Sequence, residues 1–330
     1  MSQNEILRVE HLKKYFPVEK SFLEKTFTRT RHFVKAVDDI SFSVIKGEIF
    51  TLAGESGCGK TTTGKLVVRL IQPTSGRIFF NGTDTTGVDS ESLRVLRRKM
   101  QIIFQDPYAS LNPRMKIGDA VGHPLEIHGL AFHDEKKKKV MEILDRVGLS
   151  PSEKIMDLYP HQMSGGQRQR VAMARALILQ PEFVVADEPV SMIDVSLRTS
   201  IIDLMLSLRE DFGLTYLFVT HDLAVAKYIS DRIAIMYLGK IVELGDKKTI
   251  FSDPRHPYTR ALLSAIPVPV PERERKKTEL RGDVPSAINI PSGCRFRTRC
   301  ISACKTCEEI EPELIPVSES HYVACSLVKD

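Results

Sequence analysis

At 330 residues, with 42% hydrophobic and 27% charged side chains, the chain has room for one large α/β domain plus an appendage or for two modest domains, and either buries a sizeable core. A formal net charge of +5 is mild at this length, so nucleic acid is not expected as a partner, and the basic runs at 136–139 and 273–277 read as solvated surface. No apolar run approaches the roughly 20 residues of a membrane helix, and the N-terminal MSQNEILRVE lacks a signal-peptide pattern, so a cytosolic chain that can dock on a membrane protein is expected.

Residues 5–50 carry the alternation of half-buried strands in ILRVEHL and AVDDISFSVIKGEIF, and the basic segment 17–35 between them reads as an extended loop or hairpin. The stretch that organises the rest is IFTLAGESGCGKTTT, residues 49–63, where an apolar run breaks into a glycine-rich turn and then a helical period. Gly54, Gly59, Lys60 and Thr61 occupy the fixed slots of G-x-x-x-x-G-K-[ST]. Glycines at 54, 57 and 59 let backbone N–H groups turn inward around phosphate oxygens, and the helix N-terminus adds partial positive charge. Lys60 then reaches the β/γ-phosphates, and the Thr61 hydroxyl can ligate Mg²⁺. The chemistry is that of a nucleoside triphosphate.

The helix after this loop is expected to end at the Gln72-Pro73 turn, followed by short strands at 77–80 and 100–104 and a helix at 92–98. Over 111–180 strands vanish and helical periods take over at 117–127, 134–147 and 165–179, as in an inserted helical subdomain. EFVVA at 182–186 returns to a fully buried strand ending in Asp187 and Glu188, and TYLFVT at 215–220 ends at His221. Strands alternating with helices imply a mostly parallel sheet covered on both faces, an α/β fold, with a closing hairpin at 236–244. The expected organisation is therefore a nucleotide-binding domain over 1–245, a proline-rich connector over 246–282 and a small cysteine-rich domain over 283–330.

In a phosphate-loop protein, Asp187 is placed to hold Mg²⁺ through water, and Glu188 to polarise the attacking water as general base. Met163-Ser164-Gly165-Gly166-Gln167 opens a long helix: Ser164 is a natural N-cap, and the glycines expose amide N–H groups to an anion. One chain thus carries two phosphate-binding elements.

In this order the motifs resemble the ATPase subunits of ATP-binding-cassette (ABC) transporters. The phosphate loop (Gly54, Glu55, Ser56, Gly57, Cys58, Gly59, Lys60, Thr61, Thr62) is followed by a glutamine loop at Gln105 and a signature of Met163, Ser164, Gly165, Gly166 and Gln167. The carboxylates Asp187 and Glu188, a D-loop ending at Asp194 and a switch histidine at His221 complete the set. The resemblance implies a P-loop cassette with a parallel core sheet, an N-terminal antiparallel subdomain and a helical subdomain, working as a dimer. Each ATP would lie between one phosphate loop and the other chain's signature. Lys60, Gln105, Glu188 and His221 are then the catalytic set, Thr61, Gln105 and Asp187 the Mg²⁺ set, and Tyr15, with Phe16 as alternative, the adenine platform. Met192-Ile193 stands where similar chains have Ala-Leu, so packing at the dimer interface is expected to differ.

Flanking segments, QDPYASLNPRM, YPHQ, DEPVSMIDVS and HPYTRALLSAIP, resemble the oligopeptide/dipeptide permease ATPases, with nickel-importer ATPases as close relatives. That implies a peripheral subunit on the cytoplasmic face of the membrane. Its expected partners are a second ATPase subunit, two transmembrane permeases and an extracytoplasmic substrate-binding protein. The rival readings are a nickel or other small-solute importer ATPase, a non-transport cassette ATPase and a redox-sensing nucleotide-binding protein. Five of six cysteines follow residue 293, in the spacing Cys294-x5-Cys300-x6-Cys307-x17-Cys325 with Cys304 as an extra thiol. Clustered thiols in a cytosolic chain read as a metal site, iron–sulfur, zinc or free. Resemblance to the permease ATPase tail implies a [4Fe–4S] cluster on Cys294, Cys300, Cys307 and Cys325. Cys58 reads as a small filler in the phosphate loop.

Overall fold

A computed structural model describes residues 4–18, 32–266 and 282–328. The chain folds as two units, the first built from its described residues up to Ile6, Ile45–Ile49 and Gly87–Val219, the second from Leu7–Val44, Phe50–Thr86 and Thr220 onwards.

In the first unit the strands Met100–Ile103, Phe183–Asp187 and Thr215–Thr220 lie parallel, with Ile103 opposite Ala186 and Asp187 opposite Val219. Every residue of the second and third of these strands is buried, which is why their sequence is a continuous apolar run instead of an alternation. The expected helices form at Ser90–Lys99, Ile117–Ile127, His133–Arg146 and Gly165–Leu177. The last opens on Ser164 and turns inward Val171, Met173, Ala174 and Leu177. Helix Val195–Phe212 opens on an exposed stretch, its buried face begins only at Ile201, and it stops on Gly213 in the left-handed region.

In the second unit an antiparallel sheet runs in the order Phe33–Ile45, Glu5–Pro17, Ser75–Phe80, Thr83–Asp84. The first strand reaches Pro17, and the Val18 N–H donates to the His32 carbonyl at 2.9 Å, so strand structure extends into the segment expected as an extended loop or hairpin; residues 19–31 of that segment lie outside the described residues. The helix after the phosphate loop, Lys60–Val67, ends short of Gln72 because Arg69 turns the chain at φ +57 and fixes its guanidinium on the Thr85 carbonyl and Gln72 Oε1, both at 2.7 Å.

A second run of strands holds Ile49–Ala53 parallel to Arg232–Tyr237. Lys240–Asp246, His321–Val323 and Ile315–Ser318 then follow antiparallel. The cysteine-bearing tail is therefore sewn into this unit: Glu243 pairs with Val323, and Phe296 and Cys300 share a core with Ala53, Ile235, Tyr237 and Tyr258. The proline-rich connector contributes two helices, Lys247–Ser252 and Pro257–Ser264; residues 267–281 lie outside the described residues.

Candidate nucleotide site

The strand Ile49–Ala53 is buried along its length and delivers the chain into the glycine loop. Two glycines there have no substitute. Gly54 and Gly59 sit at φ +153 and +109, and a Cβ on them would lie 2.3 Å from the Met236 carbonyl and 2.1 Å from the Ala36 carbonyl. Inside the loop, Lys60 is 4% exposed and donates Nζ to the carbonyls of Gly54 (2.8 Å) and Glu55 (3.0 Å). A cation is thus held within a backbone cradle that opens a helix, which suits a polyphosphate. Ser56 and Gly57 are exposed, while Thr61 and Thr62 are half-buried. Cys58 is buried behind the loop, where burial pushes its thiol pKa up against the pull of Lys60, as befits a filler.

His221, in the same unit, is exposed at the end of Thr215–Thr220, and Asp222 after it caps helix Leu223–Ile229 by accepting from the N–H groups of Ala224 and Val225. Tyr15 is anchored at its hydroxyl by Asp38, with Lys35 Nζ 5.4 Å from its ring. Burial first, then the hydrogen bond to Asp38, pushes the Tyr15 hydroxyl up. Burial works against charge on Asp38, but hydrogen bonds from Tyr15 and Arg295 and the Arg295 charge outweigh it and hold the carboxyl at about 2.

In the first unit, Asp187 closes its strand, 3% exposed, and Glu188 follows at φ +47 with its N–H on the Val219 carbonyl at 2.9 Å. A left-handed backbone at a non-glycine residue is strained, and here it sits where the sequence places the general base. Gln105 Nε2 donates to Glu188 Oε2 at 3.0 Å, so two of the expected catalytic residues touch.

The signature forms a reciprocal cap: Ser164 Oγ accepts from the Gln167 N–H at 3.3 Å and Gln167 Oε1 accepts from the Ser164 N–H at 2.9 Å. That leaves Gly165 and Gly166 at the mouth of a thirteen-residue helix. Asp194 is exposed at the N-terminus of Val195–Phe212. Of the unusual D-loop pair, Ile193 is buried at 5% and Met192 is 62% exposed, so the larger side chain is spent on the surface.

Residues 37–191 match the ABC transporter family model, and residues 242–307 match that of the oligopeptide/dipeptide transporter C-terminal region. Over 329 residues the chain is 47% identical to the oligopeptide transport ATP-binding protein AppF of Bacillus subtilis, covering 99% of this chain and 98% of that one. A probable peptide ABC transporter ATP-binding protein of Sinorhizobium fredii is 45% identical over 97% of this chain and 89% of its own length. The chain belongs to the ATP-binding subunits of the ABC-type oligopeptide/dipeptide transporters. Its fold is that of the ABC cassette: the ATP-binding cassette MJ0796, solved as a dimer in a post-hydrolysis state with ADP and Pi, superposes with a TM-score of 0.64 at 28% identity. The match covers 73% of this chain and 98% of that one.

The tail thiols of the cassette approach one another without forming a ligand cage. Cys300, Cys307 and Cys325 are buried, and the Cys294 thiol is pushed up to about 11 by burial first and then by its neighbours Cys307, Cys325 and Cys300. Cys304, outside the expected ligand set, lies with Sγ 3.5 Å from that of Cys307. Among the described residues, no group of three or more His, Cys, Asp or Glu side chains is arranged to hold a metal ion. Sequence reasoning also passed over Asp38, Tyr258, Arg295 and Arg299, which meet the phosphate loop or the Tyr15 strand; no local pattern in the sequence singles them out.

Proposed function

We propose that this chain is the ATP-hydrolysing subunit of a peptide importer, docked on the cytoplasmic face of a membrane against two permease subunits fed by an extracytoplasmic binding protein. The observation that carries the reading is the match of residues 242–307 to the oligopeptide/dipeptide transporter C-terminal region, in a chain that also holds Gln105 against Glu188.

The roles follow from the chemistry. Gly54, Glu55, Ser56, Gly57, Cys58, Gly59, Lys60, Thr61 and Thr62 cradle the triphosphate, with Lys60 turning from loop carbonyls to phosphate oxygens when ATP enters. Tyr15 supports the adenine. Thr61, Gln105 and Asp187 are the groups to hold Mg²⁺, which when bound neutralises phosphate charge. Glu188 accepts the proton of the attacking water, and His221 orients that water and the γ-phosphate. Ser164, Gly165, Gly166, Gln167 and Asp194 serve the nucleotide of a second cassette. Exposed apolar side chains support that pairing: Met192, Val195 and Leu197 are 62%, 75% and 40% exposed, and a Cβ on Gly166 would lie 3.4 Å from Leu197 Cδ1.

The permease contact is read at the segment after Gln105, where Tyr108, Leu111, Asn112, Pro113 and Met115 line a cleft with Arg175. Two arginines of the signature helix grip that segment: Arg168 stacks on Tyr108, Cζ 3.6 Å from the ring centre, and Arg175 donates to the Ser110 carbonyl. A push on the cleft therefore reaches the signature, and the reverse. The proposal includes Cys294, Cys300, Cys307 and Cys325 as [4Fe–4S] ligands. The Cys294 N–H donates to the Cys307 carbonyl at 2.8 Å, which supports it, and loading would have to draw the four thiols together. Anaerobically purified protein is then brown, absorbing near about 400 nm; a colourless zinc-loaded product overturns this part.

The main test is Glu188→Gln in the assembled transporter. ATP hydrolysis and peptide uptake should fall by about a hundredfold or more while ATP binding persists. Turnover persisting at the wild-type rate would remove Glu188 from the role of base.

A further inference from the structure

We propose that Arg299, from the cysteine-bearing tail, is a positioning residue of the nucleotide site: it neutralises and fixes Glu55 of the phosphate loop, and through Glu55 it sets the affinity for ATP. The inference rests on the assignment of residues 54–62 to the triphosphate.

Arg299 is 244 residues from Glu55 in sequence, yet its guanidinium meets that carboxylate with both arms, Nη1 to Oε2 at 2.6 Å and Nη2 to Oε1 at 3.1 Å. The arginine side chain is 7% exposed, and the carboxylate beside it 28%. A planar two-point pair on a buried arginine has a fixed geometry, unlike the solvated ion pairs that close and open freely. The Arg299 pKa is raised, chiefly by the hydrogen bond to Glu55.

Glu55 is held at two further points: its N–H donates to the Tyr258 hydroxyl at 3.0 Å, and its carbonyl accepts from Lys60 at 3.0 Å. All three groups of Glu55, its N–H, its carbonyl and its carboxylate, are therefore fixed. Two of the anchors come from beyond residue 256.

Arg295 acts on a neighbouring part of the same frame. It donates Nη1 to the Leu238 carbonyl at 2.5 Å, Nη2 to Asp38 and Nε to Glu311 at 2.7 Å. Asp38 in turn takes the hydroxyl of Tyr15, and its N–H bonds the Gly239 carbonyl at 2.9 Å, while the Gly239 N–H bonds the Cys58 carbonyl at 2.9 Å. Between the two arginines, Phe296 is 2% exposed against Tyr237 and Tyr258, at 5.3 Å from each ring centre, so the turn that carries them is rooted in the core.

The functional consequence is electrostatic. Glu55 brings a negative charge into a loop whose task is to hold a polyanion. Without Arg299 that carboxylate is free to repel the triphosphate and to compete for Lys60; with Arg299 it is spent, and it serves as a strut.

The experiment measures equilibrium binding of a fluorescent ATP analogue to the full-length chain as wild type, Arg299→Met, Arg299→Lys, Glu55→Gln and the Glu55→Gln/Arg299→Met double variant, with melting temperatures alongside. Arg299→Met should weaken binding by about tenfold. Arg299→Lys, which keeps the charge and loses the fork, should recover part of that loss. In the double variant the orphan charge is gone, so binding should return to within about threefold of Glu55→Gln alone.

Arg299→Met binding as tightly as wild type overturns the proposal. So does a loss in Arg299→Met that Glu55→Gln does not relieve, since a merely structural arginine would behave that way. Wild-type protein that binds no ATP analogue refutes the nucleotide assignment itself, an outcome distinct from both.

Discussion

Truncating Phe296 to alanine tests whether the tail belongs to the core of its unit. The ring is 2% exposed and meets three aromatic neighbours: Tyr237 edge-on at 5.3 Å, Tyr258 at 5.3 Å and His256 at 5.6 Å between centres. Burying a phenylalanine is worth about 1.5–3 kcal/mol by area, and the void left among rings that cannot collapse raises the total to about 3–5 kcal/mol. Near the melting temperature, about 4 kcal/mol corresponds to roughly 8 °C at about 2 °C per kcal/mol. Differential scanning calorimetry of Phe296→Ala beside Phe296→Leu measures it, and the leucine variant, which refills most of the volume, should lose less than half as much. Because Arg295 and Arg299 are carried by the same turn, the alanine variant should also bind ATP more weakly. A melting temperature within about 2 °C of wild type would mean that the tail packs on the unit without stabilising it, and would refute the reasoning.

Met192→Asp places a charge on the exposed apolar surface beside the signature; steady-state ATPase of the assembled transporter should drop by about tenfold while ATP binding to the isolated chain is unchanged, and an unchanged ATPase would remove Met192 from the interface. His256 is fully buried, and burial first, then the Arg260 charge, pushes its imidazole down to about 3, while its Nδ1 accepts the Tyr258 N–H at 3.1 Å. A base depressed in the fold stabilises it while neutral, so that stability is complete above the ordinary value near 6.5 and is lost as pH falls from there towards 3. About 2 kcal/mol should be gone by pH 5, and His256→Asn, which keeps an N-cap acceptor but does not titrate, should flatten the melting-temperature profile between roughly pH 6.5 and 4; equal slopes in the two proteins would exclude His256 as the cause.

What was legible in the sequence is what chemistry forces to be local. A phosphate loop must place its glycines, lysine and hydroxyl within a few residues, so Gly54, Gly59, Lys60 and Thr61 announce themselves, and the structure finds the glycines where no Cβ fits. The buried parallel strands Phe183–Asp187 and Thr215–Thr220 were equally plain, because burial on both faces leaves no polar alternation to blur them. Boundaries set by single residues were less visible: the helix Lys60–Val67 stops where Arg69 adopts a left-handed turn and bonds Gln72 nearby and the Thr85 carbonyl farther along the chain, and nothing in the helix itself announces that.

The tail carries the same lesson further. Read as text, GCRFRTRC is a pattern of cysteines, and its three arginines alternate like the outward face of a strand. In the structure the segment is a turn of helix-like hydrogen bonds, with the Arg299 and Cys300 N–H groups both on the Phe296 carbonyl, at 2.9 and 3.0 Å. Residues four apart then share a side. Arg295 and Arg299 face the nucleotide-binding frame together, whereas Arg297, between them, turns out to Ser292. The periodicity that separates one arginine from the other two depends on the turn, and the turn depends on Phe296 finding Tyr237 and Tyr258, which lie 59 and 38 positions away. The cysteines that make the tail conspicuous thus flank the residues through which it acts on the phosphate loop. Any change in those thiols has a path of two covalently adjacent residues, Cys294 to Arg295 and Cys300 to Arg299, into the site that holds ATP.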